Sequence, residues 1–290
     1  MAFFRAARSV GPVLSRQLRP RQATQMTSSA QAVLLQNAPL ITGPRLTGFL
    51  WAGGSLALAA HTVCEMDEDP IPQAAPFYEF PASPKDYRFF CGHREGDDKE
   101  LSNCWDESVN SNGGHWTRSG HFVWCSELGF MLEKTLLVNA LDTAQRLLEI
   151  KAHPDAKICK ARAGEIKSLG RTGIPNFDAK TWDAASFKAM SQEVFAKFDQ
   201  NEDLSKKLIA SGDAYIVEAA HYDNIWGIGL RAFASGDEAG ALTRDEHGEL
   251  MWSVPPSRWP ADGNKLGRAL MLVRDMLKDK VFMVSLLFVF

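Results

Sequence analysis

The stretch His121–Leu137 (HFVWCSELGFMLEKTLL) limits the folds open to this chain more than any other, because it is a long apolar run broken by a few ionisable residues. It reads as a buried helix that carries chemistry. Ser126 is the expected N-cap, its hydroxyl accepting from an otherwise unpaired N–H of the first turn. Glu127 then falls in that first turn, where the helix dipole favours an anion. At about 100° per residue, Glu127 and Lys134 are separated by roughly 700° and return to nearly the same face, about 10 Å apart along the axis. That is too far for an ion pair of adjacent turns, and it suits two groups gripping one small ligand from two sides. Glu133, roughly 120° off that face, is expected in solvent. The competing reading is a core helix whose Glu and Lys mark a polar edge.

At 290 residues, one domain with appendages and a pair of domains are both open. A composition of 45% hydrophobic and 23% charged residues is that of a soluble globular protein. Residues 1–64 carry six arginines and no acid, so removing their +6 from the net charge of −3 leaves −9 on the rest. This mildly acidic remainder lacks the basic surface of a protein that grips a nucleic-acid backbone over many phosphates. The five cysteines (64, 91, 104, 125 and 159) are odd in number and form no C-x-x-C pair, which argues against a zinc ribbon and a dense disulfide framework. No Asn-x-Ser/Thr sequence occurs, so nothing points to secretory glycosylation.

Residues 1–31 are Arg-rich, Ser-containing and free of acids, which is the composition of a mitochondrial transit peptide; a basic disordered tail is the alternative. The segment 1–45 is assigned to that leader, which places the protein in mitochondria, with the cytoplasm as the other location. Residues 46–63 are uncharged and largely apolar, just long enough for a membrane anchor, although Gly53-Gly54 weakens them as a helix; a disordered remainder of the presequence is the alternative. Residues 64–84 read as a linker rich in proline, and the folded domain is expected over 85–280. Asp86–Cys91 and Ala214–Glu218 have the character of strands. Helices are expected over 139–151, with Leu141, Ala144, Leu147 and Leu148 inward, and over 181–199, with Phe187, Met190, Val194 and Phe198 inward. A short helix over 203–210 closes at Gly212, and 231–261 reads as an irregular excursion. Asn264 is the expected cap of a last helix that turns Leu266, Leu270, Val273 and Leu277 inward. The apolar tail 281–290 is too short to span a bilayer, and packing as a strand or attachment to a membrane or partner are both open.

Gly227-x-Gly229 lacks the third glycine of a dinucleotide loop, and the pair is better read as allowing a tight turn or a close approach. The order of blocks along the chain is more specific. Phe90-Cys-Gly92, Leu101-Ser-Asn103, Trp124-Cys-Ser-Glu127 with Phe130 and Lys134, and Leu169-Gly-Arg171 come first. Trp182, Ala196-Lys-Phe-x-Gln-Asn201, Val217-Glu218, Asp223-Asn-Ile-Trp-Gly-Ile-Gly229 and Gly263-Asn-x-Leu-Gly267 follow in turn. In this order they closely resemble the YbiA-like family, also called NADAR for its association with NAD and ADP-ribose metabolism. The resemblance covers roughly residues 86–278.

It implies a compact, mainly helical α+β domain with short strands and N-glycosidase activity, cleaving between ribose C1 and an amine-bearing base. The implied substrates are phosphorylated N-ribosides of the early riboflavin pathway, or ADP-ribose attached to guanine, so that nucleic acid enters only as a modified substrate. No cofactor or metal is called for. The family's Glu matches Glu127, expected to move protons, and its helix lysine, acting through a Schiff base, matches Lys134. Asp223 is the third candidate for catalysis. Asn103, Trp105, Trp124, Arg171, Glu218, Trp226 and Asn264 are candidates for substrate binding, the tryptophans by stacking on a base and Arg171 by pairing with phosphate. The chain departs from the family at Leu128 and Gly129, where a His and a Tyr are usual.

Overall fold

The computed structural model describes residues 70–92, 98–109, 112–153, 156–175 and 177–287, so the assignments for 1–45 and 46–63 lie outside the described residues. The elements run β1 (Tyr87–Phe90), β2 (His115–Trp116), β3 (Phe122–Val123), α1 (Ser126–Leu137), α2 (Leu141–Glu149), α3 (Ala156–Thr172) and α4 (Ala179–Asp199). They continue with α5 (Glu202–Ile209), β4 (Tyr215–Glu218), β5 (Arg231–Phe233), β6 (Gly240–Arg244), β7 (Leu250–Trp252) and α6 (Lys265–Leu287). The domain is α+β and mainly helical, with short strands.

Helix α1 is apolar nearly all round because it is covered on several sides, by α2, α3 and α4. Leu128, Leu132 and Leu147 are almost fully buried at these contacts, each worth about 2 kcal/mol of transfer free energy. The helix ends at Asn139, whose left-handed φ of 56° is the conformation that stops a helix, while Ala140 N–H returns to the Thr135 carbonyl at 2.8 Å. Its start differs from expectation. Cys125 is the capping position, and Ser126, already helical, has a buried hydroxyl without a partner. The N–H of Glu127 goes instead to the Asn103 carbonyl at 2.8 Å, so a neighbouring loop caps the helix. Glu133 is half-buried between α1 and α4 rather than in solvent, since α4 packs along that side.

Strands β1 and β4 pair in parallel, with Phe90 opposite Glu218. A parallel pair needs a crossover, and here the helices α1 to α5 supply it. Helix α4 buries all four predicted positions, Phe187, Met190, Val194 and Phe198, and α6 packs across α4 and β4. On α2, Ala144 and Leu147 are buried but Leu141 is exposed.

Three stretches depart from the sequence reading. The excursion 231–261 contains a three-stranded sheet in the order β5-β6-β7. Residues 70–84 are no free linker: Arg268 donates to the carbonyls of Ala75 (2.9 Å) and Pro76 (3.0 Å), and Phe80 packs against Tyr215 and Trp259. The tail does not form a strand through 287, because those residues extend α6, leaving Val281, Phe282 and Met283 exposed. Among the described residues no helix is long and apolar enough to cross a membrane.

Candidate active site

Glu127 and Lys134 both open into one cleft of about 870 Å³, a volume that admits a nucleotide-sized ligand. Helix α1 supplies this pair, α3 adds Lys167 and Arg171, and α4 adds Trp182 and Asp183. Glu218 enters from the carboxyl end of β4, and the following loop brings Asp223 and Trp226.

Asn103 holds Glu127 twice. Its carbonyl takes the Glu127 N–H, and its side-chain amide donates to the Glu127 carboxylate. The loop that presents Asn103 is itself fixed by Lys197 of α4, whose ammonium donates to the carbonyls of Glu100 (2.7 Å) and Ser102 (2.9 Å). Behind α1, His115 is sandwiched between Glu107 (2.7 Å) and Glu193 (3.3 Å), all three fully buried. Burial opposes the imidazolium, but the two carboxylates, Glu107 first, push His115 up to about 9. Glu193 lies where a Cβ on Gly129 would fall, 1.8 Å from its oxygen. Gly129 is thus a notch in α1 that admits this carboxylate. Leu128 is in the core, so the departure from the family pattern falls on the packed side of α1 and not among the cleft residues.

Burial pushes the Glu127 carboxyl above its ordinary value, with Lys167 and Arg171 pulling the other way. Glu218 is pushed up to about 8, by burial first and then by Asp223. Lys134 moves down, through burial first and then through Arg171, while Asp183 and Glu127 oppose. Its ammonium lies 4.1 Å from the Phe177 ring centre and 5.6 Å from that of Trp182, which softens the loss of charge. Lys167 is held charged, above the ordinary lysine value, chiefly by Glu127. The cleft therefore pairs one lysine whose proton affinity is lowered with one whose proton affinity is raised.

Of the residues singled out from sequence, Asn103, Glu127, Lys134, Arg171, Glu218, Asp223 and Trp226 come together in the cleft. Asp223 also shapes the loop, its Oδ1 accepting from the N–H groups of Ile225 (2.9 Å) and Trp226 (2.8 Å). Gly229 needs its φ of 69° to return its N–H to the Asp223 carbonyl. Three candidates are not brought in. Trp124 is a core residue whose indole donates to the Ile150 carbonyl at 2.9 Å. Trp105 lies outside the cleft, under Lys99. Asn264 does not cap α6 with its side chain, which spans to β4: Oδ1 accepts from Glu218 N–H (2.9 Å) and Nδ2 donates to the Ile216 carbonyl (2.8 Å). Sequence reasoning missed Lys167 and Asp183. Lys167 had a usable signal, since it precedes Arg171 by four residues and shares its helix face.

Fold and cleft together define a class: a mainly helical α+β domain with a polar cleft lined by both acids and bases. The NADAR domain family profile matches residues 89–278, and the chain belongs to that family. It is 33% identical over 150 residues to an N-glycosidase of Acanthamoeba polyphaga mimivirus, covering 52% of this chain and 72% of the relative. It is 31% identical over 161 residues to Protein irg-1 of Caenorhabditis elegans, covering 52% of this chain and 68% of the relative. The NMR structure of the E. coli protein YbiA aligns over 73% of this chain and 95% of its own, at 20% identity and a TM-score of 0.38.

Proposed function

We propose that this protein is an N-glycosidase that frees an amine-bearing base from C1 of a phosphorylated ribose, with Lys134 capturing the sugar. The observation that carries this reading is the meeting, in one cleft, of a lysine with a lowered proton affinity and two carboxyls with raised ones. A nucleophilic amine must be neutral, and an acid must hold its proton near neutral pH. The mimivirus relative bears the name N-glycosidase, which supports the same class.

A cleft carboxyl gives its proton to the ring oxygen, the C1–O bond breaks, and the base nitrogen's lone pair carries the cation at C1. The Lys134 amine adds to C1 and loses a proton; the base nitrogen gains one and leaves as a free amine. Water then hydrolyses the remaining iminium, returning Lys134 and releasing the sugar. Arg171 at the cleft rim suits the phosphate, and Trp226, packed edge-on against Phe130 at 5.1 Å, suits the base.

Two substrate classes fit this chemistry, the N-ribosides of the early riboflavin pathway and ADP-ribose on guanine. Incubating each with wild type and Glu127→Gln, and measuring the released sugar phosphate or ADP-ribose, tests the reading. Release by wild type that falls at least tenfold in the variant supports it; binding without release leaves a non-catalytic ADP-ribose or nucleotide module instead. Residues 1–31 support a mitochondrial location, which import into isolated mitochondria tests.

A further inference from the structure

The two deeply placed carboxyls of the cleft have unlike surroundings. Glu127 is 3% exposed and its carboxylate already accepts from Asn103. It faces the cation of Lys167, for which it is the leading electrostatic neighbour. Burial raises the proton affinity of Glu127, but the Asn103 amide and the Lys167 cation both favour its anion and work against that rise. Glu218 is the reverse. It is 9% exposed, its Oε2 is buried without any hydrogen-bond partner, and it lines the same cleft. Its main chain is fixed on both sides, the N–H by Asn264 Oδ1 at 2.9 Å and the carbonyl by Ile228 N–H at 3.0 Å.

We propose that Glu218, and not Glu127, donates the proton that opens the sugar ring, while Glu127 with Lys167 forms the fixed charged pair that orients the sugar and stabilises its cationic state. The inference rests on the N-glycosidase reading of the site. The groups facing Glu218 agree with it. Asp223 on the following loop and Glu127 on α1 repel its anion, and only Lys167 of α3 opposes them. Cys91 after β1 and Tyr222 on the loop are also within its electrostatic reach. Burial favours the proton on both carboxyls, but only Glu127 has a hydrogen-bond donor for its anion, so one shared proton belongs on Glu218 and the charge on Glu127. The proton leaves Glu218 for the ring oxygen, and the carboxylate so formed is reprotonated when the Lys134 iminium is hydrolysed.

The test reads the proton on the protein and in turnover. Infrared difference spectra of the full chain at neutral pH, wild type against Glu218→Gln and Glu127→Gln, show which variant removes the stretch of a protonated carboxyl. The proposal expects its loss in Glu218→Gln and its retention in Glu127→Gln. In single turnover, Glu218→Gln should slow base release by about 10²–10⁴-fold with substrate still bound. It should also abolish the fall in rate at rising pH, a limb that Glu127→Gln retains. A band that persists in Glu218→Gln and vanishes in Glu127→Gln overturns the assignment. If wild type releases no base, the N-glycosidase reading fails, and the infrared result still decides which carboxyl holds the proton.

Discussion

Replacing Gly129 by alanine would ordinarily help a helix, by about 1 kcal/mol. Here the sign should reverse. The new Cβ falls 1.8 Å from Glu193 Oε2 and 2.6 Å from its carboxyl carbon, so the carboxylate must move. A surface carboxylate would swing aside at little cost. Glu193 is fully buried and bonded to His115, so moving it forfeits a charge-assisted hydrogen bond of about 1.5–3 kcal/mol and adds about 1–3 kcal/mol of overpacking strain. Less the helix gain, the net loss is about 1.5–5 kcal/mol. In a domain of this size that lowers Tm by at least about 3 °C. Urea and thermal unfolding of Gly129→Ala measure it, and the double variant Gly129→Ala/Glu193→Ala should cost less than the two single variants added together. A Gly129→Ala protein as stable as wild type would refute the reasoning.

Stability should also fall as pH rises. Glu193 (4.5 raised to about 7), Glu218 (4.5 to about 8) and His115 (6.5 to about 9) all bind protons more tightly folded than unfolded. Their contribution is complete below the unfolded values and is lost as pH climbs through the folded ones, with His115 contributing on the order of 3 kcal/mol. Urea unfolding at pH 6.5 and 9 should show the decline, and His115→Gln should flatten it. Asn103→Ala frees the Glu127 carboxylate of a donor, so the Glu127 carboxyl should titrate higher and kcat drop at least tenfold, read from pH–rate profiles. Trp124→Phe should cost stability by stranding the buried Ile150 carbonyl, about 1–3 kcal/mol, and leave KM unchanged. Trp226→Ala, measured alongside, should raise KM as well as cost stability, because its ring packs on Phe130.

Local periodicity made much of the fold legible. The 3.6-residue spacing placed α1 and α4 and put Glu127 and Lys134 on one face, and both line the cleft. Pairings between distant segments were not legible. Nothing near Asn264 tells that its amide will span to β4, or near Trp124 that its indole will meet Ile150, because those partners are set by tertiary packing. The strands of 231–261 are only three to five residues long and sit among turn residues, so alternation had no length in which to show. Proline content made 70–84 look like a linker. Its Phe77-Tyr-Glu-Phe80 was the contrary signal, since Phe80 packs on Tyr215 and Trp259 and Tyr78 bonds Asp275. Gly129 looked like a defect in a catalytic helix because its partner, Glu193, lies on α4, far along the chain, and Leu128 did because the core that buries it is assembled from distant segments.

The central claim is that Lys134 captures the sugar. Borohydride added during turnover of a phosphorylated N-riboside, followed by peptide mass spectrometry, tests it directly. The expected result is a reduced sugar adduct on Lys134, absent from Lys134→Met. Release of base with no adduct on Lys134 would contradict the claim and favour hydrolysis by water between two carboxylates.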